Sequence, residues 1–486
     1  MLRQKSFVQP NVLNPFVHPK TISIKRKFQV LLMSLTIAPV RLFCFTLVTF
    51  ITIILALPIT FGVSLKSEQP VSKIRYFLFE ILRLLGRLSF FCCGFHFVEV
   101  CGEQKSSLEA PILVAAPHSS IFDGIVALIN FGLPTAVSRA ENPQPVKSII
   151  KALQPVLVSR DDPNSRQNTI NEIVKRANSK GAWPHMLIFP EGTCTNGKSL
   201  ITFKKGAFIP GKAVQPVTIE YLNSWDTFRW TMDGPGAFQI FWMTLCQLQT
   251  YVRITYMPVY HPNKLEKLNP SLFAKGVRHE MAKQLNVKYT EHTFEDCRLM
   301  RYASNLHLPM EAGLIEFAKL SRKLDIDVDR IKELMNNFST VANKNESGKM
   351  NIIDFSNFLS LPVTPVLQKM FDMYDRTNSG FIDFREYVIG LSLLAVPSVT
   401  ENTIKFAFKV FDKNCDGMIS KDEFISLIQT TQGSESKPSK PLLIFKEIAH
   451  ENDEISYEQF FKFAQKRPEY AYLFLCYKNS NFYTDL

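Results

Sequence analysis

Between Val98 and Asn286, short apolar runs alternate with segments of helical periodicity, and that alternation leaves few folds open. The strand-like runs are Phe97–Val100, Ile112–Ala116, Thr135–Ser138, Val156–Ser159, Met186–Phe189, Val214–Ile219 and Ile254–Tyr260. Several are apolar throughout, the mark of strands buried on both faces. Helical patterns fall at Ile121–Phe131, Ser165–Lys180 and Pro270–Asn286, the last with Asn269 as N-cap and Pro270 at the first helical position. Strand and helix in turn predict an α/β domain with a largely parallel sheet.

Two of these runs end in polar motifs. His118-Ser-Ser-Ile-Phe-Asp123 follows Ile112–Ala116, and Phe189-Pro-Glu-Gly-Thr-Cys-Thr-Asn196 follows Met186–Phe189. A histidine with an aspartate five positions on offers a general base and its orienting carboxylate. On a helix, residues five apart are offset by about 140°, so the two cannot share one helical face. His118 must lie on the turn before the helix and Asp123 inside the first turn, and Pro117 suits that turn. Glu191-Gly-Thr after a strand offers an acceptor and exposed backbone N–H groups, which suit an oxygen that becomes negative. Ser119 and Ser120 flank His118, but the G-x-S-x-G elbow of a serine nucleophile is not present, which favours direct transfer over a covalent intermediate.

In order and spacing the two motifs resemble the glycerolipid acyltransferase family, with its H-x4-D and E-G-T hallmarks. The resemblance implies acyl-CoA as co-substrate, with His118, Asp123 and Glu191 as catalytic residues. Glu191 and the Gly192/Thr193 turn would position the acceptor or polarise the thioester. It also implies an arginine for substrate phosphate: Arg160 first, Arg166 second and Arg139 more weakly, because a guanidinium binds phosphate oxygens bidentately. Lys204 and Lys205 could meet CoA phosphates or headgroups, and Val214-Gln-Pro-Val217 matches an apolar block that shapes the acyl groove. Many members that acylate lysophosphatidic acid carry arginine after Glu-Gly-Thr, where this chain has Cys194. A thiol adds no charge for a phosphomonoester dianion, so a phosphodiester acceptor fits better. Cys194-Thr-Asn196 and Thr202-Phe-Lys-Lys-Gly-Ala-Phe-Ile-Pro-Gly211 resemble the lysophosphatidylcholine acyltransferase branch, which includes lyso-platelet-activating-factor acetyltransferases.

The tail carries a different code. Asp375-Arg-Thr-Asn-Ser-Gly-Phe-Ile-Asp-Phe-Arg-Glu386 fits a 12-residue EF-hand loop, with ligands at Asp375, Thr377, Ser379, the Phe381 carbonyl, Asp383 and Glu386. The second loop begins 37 positions later and offers Asp412, Asn414, Asp416, the Met418 carbonyl, Ser420 and Glu423. Gly380 and Gly417 stand at the sharp-turn position. Hands come in pairs, so partners are expected. The stretch from Asn343 to Asp354 keeps Gly348 but has poor end ligands, and that from Glu451 to Gln459 lacks the glycine. Two Ca2+ sites of roughly micromolar affinity follow from the ligand count.

Upstream, Phe28–Val40 and Leu42–Leu65 are apolar, and the second is long enough to span a bilayer. Either it is a single span, or the pair forms a re-entrant hairpin bent near Pro39–Arg41. Lys25, Arg26 and Lys27 before it and Lys66, Lys73 and Arg75 after it favour the hairpin, with the catalytic domain on the cytosolic face. Ile74–Phe97 reads either as an amphipathic interfacial helix or as a core helix with solvated arginines. Residues 1–27 are basic and proline-containing, and disorder is expected there. Met1–Lys73 holds nine Lys/Arg against one acid within a chain of net charge +12. Beside apolar runs that favours membrane lipid, and no finger spacing or aromatic-basic motif supports nucleic acid. Nine cysteines without framework spacing suggest reduced thiols.

The expected layout is a basic segment (1–27), a membrane anchor with an amphipathic helix (28–97), an acyltransferase domain (98–286), a connector (287–325) and an all-α EF-hand domain (326–486). The expected activity is transfer from acyl-CoA to the sn-2 hydroxyl of a lysophospholipid, at the endoplasmic reticulum or Golgi membrane. The rival is a catalytically silent calcium sensor or adaptor at a membrane.

Overall fold

The computed structural model describes residues 14–18, 22–64, 69–130, 132–139, 144–158, 165–324, 326–342, 347–359, 363, 365–394, 404–405, 408–409, 412, 414, 416–425, 439–450 and 452–466. They fall into two compact units, Met1–Phe294 and Glu295–Leu486.

Unit one begins with three helices, α1 (Ile24–Leu35), α2 (Ile37–Ile59) and α3 (Lys73–Cys92). Strands β1 (Phe97–Cys101) and β2 (Ile112–Ala116) follow, then a 3-10 turn at Ile121–Ile125 and α4 (Val126–Ile129). Next come β3 (Thr135–Arg139), α5 (Gln144–Ala152), β4 (Val156–Val158), α6 (Ser165–Ala177), β5 (Met186–Ile188) and the short β6 (Ser199–Leu200). The unit closes with β7 (Val214–Tyr221), α7 (Ala237–Leu245), β8 (Tyr251–Tyr256), α8 (Lys264–Leu268), α9 (Pro270–Leu285) and β9 (Lys288–Tyr289).

Seven strands form one sheet in the order β1-β8-β7-β2-β5-β3-β4, and its pairings are parallel except β7 with β8. The strand period of two explains why β2 is apolar at every position. Ile112, Val114 and Ala116 enter one core with Phe203, Phe208 and Val277. Leu113 and Ala115 enter the other with Phe95, Phe122 and Phe228. A charge anywhere along β2 would therefore be buried without a partner, at a cost of several kcal/mol. The last strand starts earlier than its pattern suggests, at Tyr251 rather than Ile254. Parallel register pairs Tyr251 with Phe97, and their rings stack at 5.3 Å. The stretch after Tyr256 peels away, leaving Tyr260 to exchange N–H···O bonds of 2.8 and 3.1 Å with Val214. Asn269 caps α9 as expected, its side chain accepting from Ser271 and Leu272.

The proposed bend of the anchor moves. Helix α2 runs unbroken through Pro39 and Arg41, because Pro39 falls in the first turn, where its missing N–H costs nothing. The break lies at Thr36, with φ −120° and ψ −85°. Arg41 then serves as an anchor. Its guanidinium donates to the carbonyls of Leu245 (2.9 Å), Leu248 (2.6 Å) and Gln247, where α7 ends. Along its length α2 packs against α3, α5 and α7. Two of the three arginines of α3 are not solvated either. Arg83 pairs with Glu80 at 2.6 Å and donates to the Leu128 carbonyl at 2.8 Å, while Arg87 donates to the Phe95 carbonyl at 3.0 Å. Large apolar side chains stay exposed on all three helices, among them Phe28, Leu35, Phe43, Phe50, Leu57, Ile74 and Phe77. Among the described residues α2 alone is long and apolar enough to cross a membrane. The cysteines whose side chains are described are free.

Part of the N-terminal segment is ordered, against expectation. Phe16 is fully buried, Asp233 N donates to its carbonyl at 3.1 Å, and His18 N donates to the Asp233 carbonyl at 2.8 Å. The buried Phe16 ring supplies about 2 kcal/mol of apolar burial for this docking.

Unit two is a bundle of short helices. Phe294–Asn305, a helix that falls inside the expected connector, leads into Phe317–Leu324 and Val328–Ala342. Its core gathers Leu299, Met335, Phe338, Phe355, Tyr374, Phe384 and Tyr387. The hands pair as their order requires. Met350 of the first bridges Ile382 of the second, and strand Met418–Ser420 of the third pairs with Glu454–Ser456 of the fourth. Met350, Ile382, Ile419 and Ile455 are each fully buried where the loops meet.

Candidate active site and calcium loops

His118 stands on the turn after β2, and Asp123 lies in the 3-10 turn that follows. Ser120 caps that turn, and Asp123 returns the bond in a capping box. The His118 Nδ1–H donates to Asp123 Oδ2 at 2.8 Å. Ser119 N and Ser120 N donate to the same oxygen at 2.7 and 2.9 Å. That donation fixes the tautomer and leaves Nε2 to accept a proton. The imidazole stacks on Phe189 at 4.4 Å and is 26% exposed, so one edge stays open to substrate. Burial pushes its pKa down, but the bonds and charges of Asp123 and Cys194 outweigh burial and hold it well above the usual 6.5.

Glu191 is completely buried. Its Oε2 accepts from His118 N at 2.6 Å and its Oε1 from Ile201 N at 3.2 Å. Burial raises its carboxyl to about 7, with the two N–H groups pulling the other way. Both oxygens are occupied inside the protein, so Glu191 fastens the base's loop to the Glu-Gly-Thr turn. The turn itself needs Gly192, at φ +69°, where a Cβ would strike Lys204 Cε at 2.7 Å. Lys204 thus lies across the turn, with its ammonium 4.4 Å from the Phe294 ring centre. The Gly192 N–H donates to the Phe189 carbonyl at 3.3 Å. Among the described residues, no hydrogen bond is made by the N–H of Thr193 or Cys194.

Cys194 is the residue whose place the sequence least anticipated. Its Sγ lies 3.6 Å from His118 Nε2, beside the nitrogen left free by Asp123. The N-terminal segment also reaches this turn. Asn196 N donates to the Pro15 carbonyl at 2.8 Å, and its side-chain amide donates to Asn14 (2.8 Å) and Val17 (3.1 Å) carbonyls. In the sequence, the apolar Phe16-Val17 pair within this basic, proline-containing segment is the signal that could have pointed to it. Arg160 lies outside the described residues. Arg166 is the second residue of α6 and Arg139 ends β3, but their side chains are not among those described.

The calcium loops have their glycines in the left-handed region, at φ +78° for Gly380 and +85° for Gly417. Asp375 accepts from Ser379 N (2.9 Å) and Gly380 N (2.7 Å), and Asp412 from Asp416 N (3.0 Å) and Gly417 N (2.9 Å). Glu386 takes Thr377 N at 3.2 Å and Asp383 N at 3.1 Å. Glu423 takes Asn414 N at 3.3 Å and Ser420 N at 2.9 Å. Thr377, Ser379 and the Phe381 carbonyl line the first loop, where Ser379 Oγ donates to that carbonyl at 2.9 Å. Three or more acidic side chains do not gather at one point among the described residues, so an ion in either loop would need hydroxyl and carbonyl oxygens as well. Such a hard-oxygen set fits Ca2+. The fourth hand differs at its end: Gln459 Oε1 accepts from Ser456 N at 2.9 Å, and its amide nitrogen donates to the Ala449 carbonyl at 3.4 Å.

Comparison with known proteins agrees with both halves. A family model described as acyltransferase matches residues 97–220, an EF-hand domain pair matches 401–465, and a single EF hand matches 367–389. The chain is 47% identical over 478 residues to lysophosphatidylcholine acyltransferase 2 of Homo sapiens, covering 98% of this chain and 87% of that one. It is 42% identical to lysophosphatidylcholine acyltransferase 2B of Rattus norvegicus, covering 97% and 92%. It is 41% identical to lysophosphatidylcholine acyltransferase 1 of Mus musculus, covering 94% and 86%.

Proposed function

The chain belongs to the lysophosphatidylcholine acyltransferase family, with a calcium-binding EF-hand tail, and from that premise we propose that it transfers an acyl or acetyl group from acyl-CoA to the sn-2 hydroxyl of a lysophosphatidylcholine or its 1-alkyl counterpart. The observation that carries the mechanism is that a buried carboxylate holds Nδ1 of His118, which leaves Nε2, bordered by the Cys194 thiol, to take a proton. Nε2 takes the hydroxyl proton as the oxygen attacks the thioester carbonyl. The carbon–sulfur bond then breaks, and the imidazolium returns the proton to the CoA thiolate. The N–H groups of Thr193 and Cys194 lie on the turn whose Cys194 Sγ borders Nε2, and they serve the developing oxyanion. Lys204 lies over the same turn and supplies positive charge toward phosphate, with Arg160 and Arg166 as the further phosphate ligands.

Membrane association is carried by the apolar anchor. Because α2 packs against α3, α5 and α7 of its own unit, we place α1 to α3 in the plane of one leaflet, on the cytosolic face of the endoplasmic reticulum or Golgi. The division into segments 1–27, 28–97, 98–286, 287–325 and 326–486 remains our proposal for the functional layout.

The test is CoA release by the reconstituted protein, offering acetyl-CoA or long-chain acyl-CoA with lysophosphatidylcholine or lysophosphatidic acid. Release with the choline acceptor is expected. No release under any of these conditions would move the function to calcium-dependent docking. Cys194→Arg tests the headgroup argument in the same assay, because its side chain borders Nε2. The ratio of kcat/KM for lysophosphatidic acid over lysophosphatidylcholine should rise about tenfold, the worth of one phosphate contact. An unchanged ratio would remove Cys194 from acceptor choice.

For the tail, Ca2+ would be held by Asp375, Thr377, Ser379, the Phe381 carbonyl, Asp383 and Glu386, and by Asp412, Asn414, Asp416, the Met418 carbonyl, Ser420 and Glu423. The ion would neutralise the loop carboxylates. Calorimetry on the full chain should count two ions, and one after either Glu386→Gln or Glu423→Gln. A count of two in both variants would place the ions elsewhere.

A further inference from the structure

We propose that Tyr221 is a positioning residue of the acyl-transfer centre, fixing the Asp123 carboxylate that in turn orients His118. The inference rests on His118 being the base. Asp123 Oδ2 is fully used by the imidazole and the two serine N–H groups, which leaves Oδ1 to be held from another direction. The Tyr221 hydroxyl donates to it at 2.6 Å. Four donors therefore meet one carboxylate from two elements 98 positions apart in the chain.

The sheet makes the reach possible. Parallel register sets Thr218 of β7 beside Ala116 of β2, so the end of β7 runs on alongside the turn that carries His118. Tyr221 is the last residue of that strand, and its ring stacks on Phe228 at 4.1 Å and 22°. Phe228 is itself buried, so the ring has little room to swing. Burial first, and the Asp123 charge second, keep the phenol pKa well above 10, so it stays a donor through the working pH range.

Without this bond one carboxylate oxygen would be buried and unsatisfied, and its negative charge would lean more heavily on the imidazole. The other titratable groups facing the pair are Cys194, across the imidazole, and Glu191, beneath the His118 backbone. Neither touches the tyrosine hydroxyl.

The experiment is Tyr221→Phe in the reconstituted full chain, with kcat and KM followed across pH. We expect kcat to fall about tenfold to hundredfold, the worth of one hydrogen bond to a charged group, with KM nearly unchanged. The acid limb should move to higher pH, because a more strongly held imidazolium surrenders its proton later. A pH series in Glu191→Gln keeps the titration of Glu191 from supplying that limb. Tyr221→3-fluorotyrosine, nearly isosteric and a stronger donor, should move the limb the opposite way, and it keeps the question open to test if the phenylalanine variant folds poorly. Unchanged kcat and an unmoved limb in Tyr221→Phe would overturn the inference. So would a loss of kcat with the limb unmoved in both variants, which is what a merely structural role gives. Activity surviving in His118→Ala would instead overturn the base assignment, a result these variants cannot imitate.

Discussion

His118→Ala should lower turnover by about 10²–10⁴-fold while calcium binding by the tail is unchanged. That range is what a positioned base contributes, and it corresponds to roughly 3–5 kcal/mol of barrier. The imidazole is partly exposed and stacks on a single ring, so its loss should leave the core folded. The pH profile gives a second check. The base works only when neutral, and its partners hold its pKa well above 6.5. Activity should therefore rise with pH through a value higher than that of an ordinary histidine. Asp123→Asn removes the charge that holds the imidazolium, so its weakened activity should begin its rise at lower pH. Retention of more than about one per cent of wild-type turnover by His118→Ala would sink the assignment.

The second large effect concerns stability. Glu191 has its folded pKa raised from the ordinary 4.5 to about 7, chiefly by burial. A raised value means that the fold binds this proton more tightly than the unfolded chain does. The resulting stabilisation is complete below about 4.5 and is lost as pH climbs through about 7, amounting to roughly 3 kcal/mol. Glu191→Gln is neutral at every pH and does not share that loss. Its stability relative to wild type should rise by about this amount between pH 5 and pH 8. His118 also has a pKa that folding raises, so the difference curve is the quantity to measure, by denaturant unfolding in matched detergent. Glu191→Ala should be worse at all pH, by about 3–4 kcal/mol, because it strands the N–H groups of His118 and Ile201. A flat difference curve would show that Glu191 is not the buried proton-binding group described.

What the sequence disclosed, and what it hid, follows from how far each interaction reaches. His118 and Asp123 are five positions apart and share a turn, so spacing set them on that turn, while the resemblance supplied their role. The calcium loops are self-contained, and even the pairing of intact with degenerate hands followed from loop order. The buried β2 run announced the two-faced sheet. Tyr221 was hidden because it meets Asp123 only through the register of two strands. Cys194 was read for its missing charge, while its nearness to Nε2 depends on how the Glu-Gly-Thr turn curls. Glu191 looked like a group for substrate because a motif glutamate is conspicuous, and only burial shows it facing inward. Prolines drew the expected bend to Pro39, although a proline in the first turn of a helix does not break it. Arg160 lies beyond the described residues, so its phosphate role stands on resemblance.

The docking of Asn14–His18 onto Asn196 and Asp233 also sets an order of events during synthesis. The first of these partners leaves the ribosome early and the last about two hundred residues later. At typical elongation rates that is a wait of roughly ten to forty seconds. Through that interval the apolar helices are already available to the bilayer, while the turn that will carry the chemistry still lacks its outer support. A nascent chain would reach the membrane before it acquires a finished catalytic centre, and would meet its lipids first as an anchor and only afterwards as an enzyme.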